Sequence, residues 1–140
     1  LIVAEAATDP ACRAADLSAQ AEHTGPASPI ALTDSVALAN AVTTEIKEQL
    51  SDLPLRDVAD RSFAERGGIG VTESLDEAIE LSNEYAPEHL CLLVSEFEPL
   101  LRLVRHAGGV FVGSHSPEVL GDYIAGPSHI MPTGGTARFA

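Results

Sequence analysis

Five short apolar runs, each separated from the next by a stretch of helical periodicity, constrain this chain more than any other feature. Leu1 to Ala4, Pro29 to Thr33, Gly68 to Thr72, Leu90 to Val94 and Val110 to Val112 are apolar at consecutive positions and too short to be helices, which suits strands buried on both faces. Asp9 and Pro10 have the chemistry of an N-cap and a first helical residue, and Cys12, Ala15 and Ala19 then recur at helical spacing until Gly25-Pro26. Asp34 is expected to cap a long helix bearing Val36, Leu38, Ala39, Val42, Ile46 and Leu50, with Pro54 ending it and a short helix at 56–65 following. Ser74 with Glu77 predicts a capping box for a helix through Glu84, and Phe97 to His106 predicts a helix closed by Gly108-Gly109. The order βαβαβαβαβ specifies an α/β fold: a mainly parallel sheet with helices on both faces and right-handed crossovers. In such sheets ligands are expected outside the carboxyl ends of the strands.

At 140 residues the chain has the length of one domain, so residues 1–140 are expected to form a single α/β domain. A formal charge of −13 argues against a protein that neutralises phosphates along nucleic acid or lies on an anionic membrane. No apolar run approaches the roughly 20 residues of a membrane span. Cys12 and Cys91 have neither C-x-x-C spacing nor the density of a disulfide scaffold, which fits a reduced cytoplasm.

Three stretches carry chemistry. In Gln20-Ala21-Glu22-His23 the amide and the imidazole are three residues apart, on one side of a helix's C-terminal end, where the negative end of the helix dipole favours a cation. Neutral imidazole is a common zinc ligand and an amide oxygen a rarer one, but a lone Gln-x-x-His is more often a surface histidine at a helix end. In Asn83-Glu84-Tyr85-Ala86-Pro87-Glu88-His89-Leu90, the adjacent Glu88 and His89 could divide proton-transfer work; chemistry alone favours a solvated Glu beside a half-buried His at a strand edge. In Gly121 to His129, Asp122 and His129 flank a Gly-Pro segment that is also ordinary turn chemistry. His106 reads as a helix C-terminal cap, and His115 has no nameable partner. Gly67-Gly68-Ile69-Gly70 is followed by no helix and Lys47, the single lysine, lies within one, so neither a dinucleotide fingerprint nor a Walker lysine is evident. A G-x-S-x-G elbow is also missing.

The stretches 17–23, 77–90 and 121–139, in this order and at these separations, closely resemble histidinol dehydrogenases. The resemblance runs along the whole chain and implies a zinc- and NAD-dependent oxidation of L-histidinol to L-histidine through the aldehyde. It implies zinc ligation by the positions of Gln20, His23 and Asp122, and proton transfer by those of Glu88 and His89. Substrate is expected to lie against Gln20, His23, His89, Asp122 and His129. It further implies a homodimer in which a partner subunit supplies another histidine ligand. Enzymes of this kind are roughly three times as long, so the chain is expected to hold the later part of one incomplete Rossmann-like domain of a larger enzyme. Alone it should bind zinc weakly and turn over little or nothing. The competing expectation is a non-catalytic zinc-binding or oligomerisation domain on the same scaffold; the presence together of Gln20, His23, Glu88, His89, Asp122 and His129 speaks against it.

Overall fold

The computed structural model describes residues 1–23 and 27–116; Gly25-Pro26, Asp122 and His129 lie outside the described residues. The chain forms β1 (Ile2–Ala4), α1 (Pro10–Ala21), β2 (Ile30–Thr33), α2 (Val36–Leu50), α3 (Arg56–Arg66), β3 (Gly68–Val71), α4 (Leu75–Tyr85), β4 (His89–Leu93), α5 (Phe97–Leu101) and β5 (Gly109–Val112). All strand pairings are parallel, in the order β3-β2-β1-β4-β5. This is the order of five strands in a Rossmann sheet.

From β1 the chain steps outward to β2 and β3, then crosses back to β4 on the far side of β1. Right-handed crossovers in opposite directions must pass over opposite faces. Accordingly α1, α2 and α3 share one core with Ile2, Ala4, Ala31 and Leu93, whereas α4 and α5 share another with Val3, Leu32, Leu90 and Leu92. The two-residue alternation of each strand divides its apolar run between the layers, which is why the runs are continuous in sequence. Val3, Ile79, Leu90 and Leu92 are wholly buried, each side chain of this size contributing about 1.5–3 kcal/mol.

The first helix starts as its sequence requires: Asp9 accepts a hydrogen bond from the Ala11 N–H, with Pro10 at the first helical position. The box before α4 is present in shifted form. Ser74 Oγ accepts from the Glu77 N–H, but the Glu77 carboxylate accepts from the N–H of Glu73 rather than of Ser74. Two expectations are corrected. The cap of α2 is Ser35, not Asp34: Ser35 is extended and its Oγ accepts from the Leu38 N–H at 3.2 Å, while its own N–H donates to Thr33 Oγ1. The fifth helix ends at Leu101 instead of reaching His106: the N–H groups of Leu103 and Val104 tighten onto the carbonyls three residues back, of Leu100 and Leu101, and those of Arg105 and His106 donate to Asn83 Oδ1 on α4. His106 therefore caps no helix. Cys12 is exposed, with Sγ 3.6 Å from Asp9 Oδ2.

On α1 the buried Arg13 reaches Asp16 through Nη2 at 3.3 Å, and its Nε and Nη1 have no hydrogen-bond partner among the described residues. Burial raises the pKa of Asp16 above 3.8, against the lowering effect of Arg13. A raised carboxyl pKa means that the folded state holds the proton more tightly than the unfolded chain. Its contribution is present at low pH and is lost as pH rises through the raised value. In urea titrations, the midpoint of Asp16→Asn minus that of the parent should therefore grow as pH rises from below 3.8 toward neutrality; a constant difference would refute this. Ser35→Ala should cost about 1 kcal/mol as a lost cap. Asp34→Ala should cost under about 0.5 kcal/mol as a surface change, and the reverse ranking would reinstate Asp34 as the cap.

Candidate active site

A helix that crosses between parallel strands runs antiparallel to them, so the C-terminal end of α1 lies level with the amino ends of the strands. There Gln20 is half-buried, the helix ends at Ala21, and His23 follows just beyond it, exposed. The His23 N–H donates to the Gln20 carbonyl at 3.2 Å, so a tightened last turn holds the two residues together although His23 is outside the helix. Beneath this end, Ser62 Oγ on α3 donates to the Ala21 carbonyl at 2.9 Å, anchoring the point where the chain leaves α1.

Glu88 and His89 reach the same end by another route. Ala86 caps α4 in the left-handed conformation, with φ 56° and ψ 64°, and turns the chain so that Pro87-Glu88-His89 enters β4. His89 is the first residue of β4, and its carbonyl accepts from the Leu1 backbone nitrogen at 2.8 Å. Two residues along, Cys91 and then Leu93 pack in the core formed with α1, so strand alternation puts His89 on the α1 face. Phe111 of β5 confirms the side: it pairs in register with Cys91, and its ring lies 5.9 Å from that of His89 at 49°. Both Glu88 and His89 are half-buried.

The structure thus places Gln20, His23 and His89 at one end and on one face of the sheet, with Glu88 beside His89. That is the amino end of the strands, whereas ligands in such sheets are expected outside the carboxyl ends. Asp122 and His129 lie outside the described residues, and among those described no three His, Cys, Asp or Glu side chains gather as a metal cluster. For zinc, the donor types at the end of α1 fit: an amide oxygen and an imidazole at the negative end of a helix.

The dinucleotide position does not fit. Between β1 and β4, where a Rossmann sheet receives a pyrophosphate, the Glu5 carboxylate accepts from Ser95 N at 2.9 Å and from Ser95 Oγ at 3.2 Å. The turn from β1 into α1 contains no glycine, Pro10 offers no N–H, and the Asp9 carboxylate already occupies the helix N-terminus. Two carboxylates stand where a dianion would lie, so the described residues do not form a pyrophosphate site. Sequence reasoning left two contributors without a role, Asn83 and Phe111. Asn83 stands within the 83–90 stretch, but its partners lie about twenty residues away; Phe111 meets His89 only through the β4–β5 register.

The histidinol dehydrogenase family model matches residues 1–140. The chain is 51% identical over 140 residues to histidinol dehydrogenase of Thermosynechococcus vestitus, all of this chain and 32% of that protein. It is 52% identical over 139 residues to that of Thermus thermophilus, 99% of this chain and 34% of that protein. Among solved structures it superposes with a TM-score of 0.86 on histidinol dehydrogenase from Elizabethkingia anophelis, at 36% identity, over 96% of this chain and 31% of that one. The chain spans about a third of the length of the relatives it matches. A match along every residue, at this identity and with a shared fold, means that the chain belongs to the histidinol dehydrogenase family.

Proposed function

We propose that residues 1–140 are one α/β domain of a larger, multi-domain cytoplasmic enzyme that oxidises L-histidinol to L-histidine through the aldehyde, acting as a homodimer with zinc and NAD. The observation that carries this reading is that Glu88-His89 at the start of β4 and the Gln20-His23 end of α1 lie toward the same end and the same face of the sheet, in a chain matched along its whole length by that family.

Each residue's part follows from its chemistry. The amide oxygen of Gln20, the imidazole of His23 and the carboxylate of Asp122 would hold zinc, which when bound supplies a fixed positive charge that orients nitrogen and oxygen donors of a substrate. His129 would contact the same substrate. Alcohol oxidation requires the hydroxyl proton to leave; His89 accepts it, with its ring fixed by Phe111 and its backbone by Leu1. Glu88 takes a proton from the water that adds to the aldehyde carbon, giving the hydrate from which the second hydride leaves. The hydride acceptor is held by residues other than those described, since the β1–β4 crevice is closed by Glu5 and Ser95.

In the full-length enzyme, His89→Asn should lower turnover of both histidinol and histidinaldehyde by roughly 10²- to 10⁴-fold, the usual contribution of a positioned general base. Glu88→Gln should chiefly slow the second oxidation, so that aldehyde is trapped by a carbonyl reagent. Unchanged NADH formation by either variant would overturn the assignment. The 140-residue chain by itself should form no NADH from histidinol, and millimolar NAD should leave the amide signals of Glu5, Ser95 and Ala11 in place. Shifts at those amides would show that the crevice opens to the dinucleotide.

A further inference from the structure

We infer that Asn83 is a positioning residue for the Glu88-His89 pair, acting through a backbone clamp that it closes; the functional half of this inference rests on the proton-transfer roles proposed above. Asn83 lies in the last turn of α4 and is 4% exposed. Its Nδ2 donates to the Leu103 carbonyl at 2.9 Å, and its Oδ1 accepts from the N–H of Arg105 at 2.7 Å and of His106 at 3.1 Å. One side-chain amide thus satisfies three backbone groups of the segment between α5 and β5. Two residues further along, that segment joins the chain around the candidate pair: the Gly108 N–H donates to the Pro87 carbonyl at 3.0 Å and the Gly109 N–H to the Glu88 carbonyl at 2.8 Å.

Residues 83–88 and 103–109 are therefore tied at both ends of a short double span. Ala86, between the ties, carries the single positive φ of a non-glycine residue among the described residues, is wholly buried, and donates its N–H to the Ser82 carbonyl at 2.8 Å. An alanine holds this conformation only where its surroundings over-determine it. With the clamp closed, the exit from α4 has one geometry, and the direction in which Glu88 and His89 enter β4 is set. The clamp also fixes the start of β5, and hence Phe111, whose ring lies against His89.

The chemistry of the residue matters as much as its place. Only a side chain with a donor and an acceptor on one short branch answers both the Leu103 carbonyl and the paired N–H groups. Aspartate keeps the acceptor but turns a second oxygen on the Leu103 carbonyl; alanine takes the side-chain partner from all three groups.

The test uses the full-length enzyme containing residues 1–140, with Asn83→Ala, Asn83→Asp and, as an equally destabilised control in α2, Leu50→Ala. Hydrogen exchange is expected to quicken roughly tenfold at Gly108 and Gly109 in Asn83→Ala and not in Leu50→Ala. Turnover should fall roughly 10²-fold with KM nearly unchanged, the signature of a displaced group. The pH profile of turnover should also shift, in Asn83→Ala more than in Asn83→Asp, which retains part of the clamp. Should Asn83→Ala fail to fold, Asn83→Asp carries the same comparison. Slow exchange at both glycines, or a loss of turnover that Leu50→Ala reproduces with the same pH profile, would overturn the inference. If the parent enzyme forms no NADH from histidinol, the proposed reaction fails, and the exchange measurement alone decides the clamp.

Discussion

The return of the chain from the outer strand β3 to β4, beside the central β1, is the constraint on which the rest of the structure depends. Because parallel crossovers keep one hand, reversing direction along the sheet forces α4 and α5 onto the face opposite α1, α2 and α3. The reversal encloses β1 between two hydrogen-bonded neighbours and two helical layers, so Val3 is wholly buried. It also returns Pro87-Glu88-His89 to Leu1, and thus to the amino end of the sheet where α1 finishes. Without it the two stretches proposed to carry the chemistry would lie on unrelated parts of the molecule.

A Rossmann order normally directs attention to the carboxyl ends of β1 and β4. Here that crevice is closed by the side chain of Glu5 on Ser95, and the residues with acid–base and ligand chemistry are at the opposite end. Fold and site are separable for a physical reason: strand order follows from burial and crossover hand, whereas a site needs side chains of suitable chemistry brought within reach. The left-handed Ala86 belongs to this second requirement. A glycine would adopt its φ of 56° without strain, and the surrounding hydrogen bonds, not the residue's own preference, hold an alanine there.

The legibility of the sequence varied with the range of the interactions involved. Helix starts at Asp9-Pro10 and Ser74 were readable because a cap is made by residues two or three apart. At α2, two adjacent residues could both cap, and the choice fell to Ser35 because its own N–H is held by Thr33 at the end of β2. The end of α5 was not readable, since the N–H that would carry the helix on toward His106 goes to a side chain twenty-two residues earlier. The site followed the same rule. Gln20, His23, Glu88 and His89 stood out through spacing and residue type, but spacing cannot tell which end of a sheet a segment reaches.

By itself, then, the sequence determined the alternation of strands and helices, the division of each apolar run between two layers, and the residue types that carry chemistry. These depend on periodicity and on contacts between near neighbours, which any segment carries with it. Only the tertiary structure decided the order β3-β2-β1-β4-β5, the arrival of Glu88 and His89 at the amino end, the tilted contact of Phe111 with His89 and the backbone groups held by Asn83. Each of these is a hydrogen bond, a register or a ring contact between distant residues, which exists only once the chain has closed on itself.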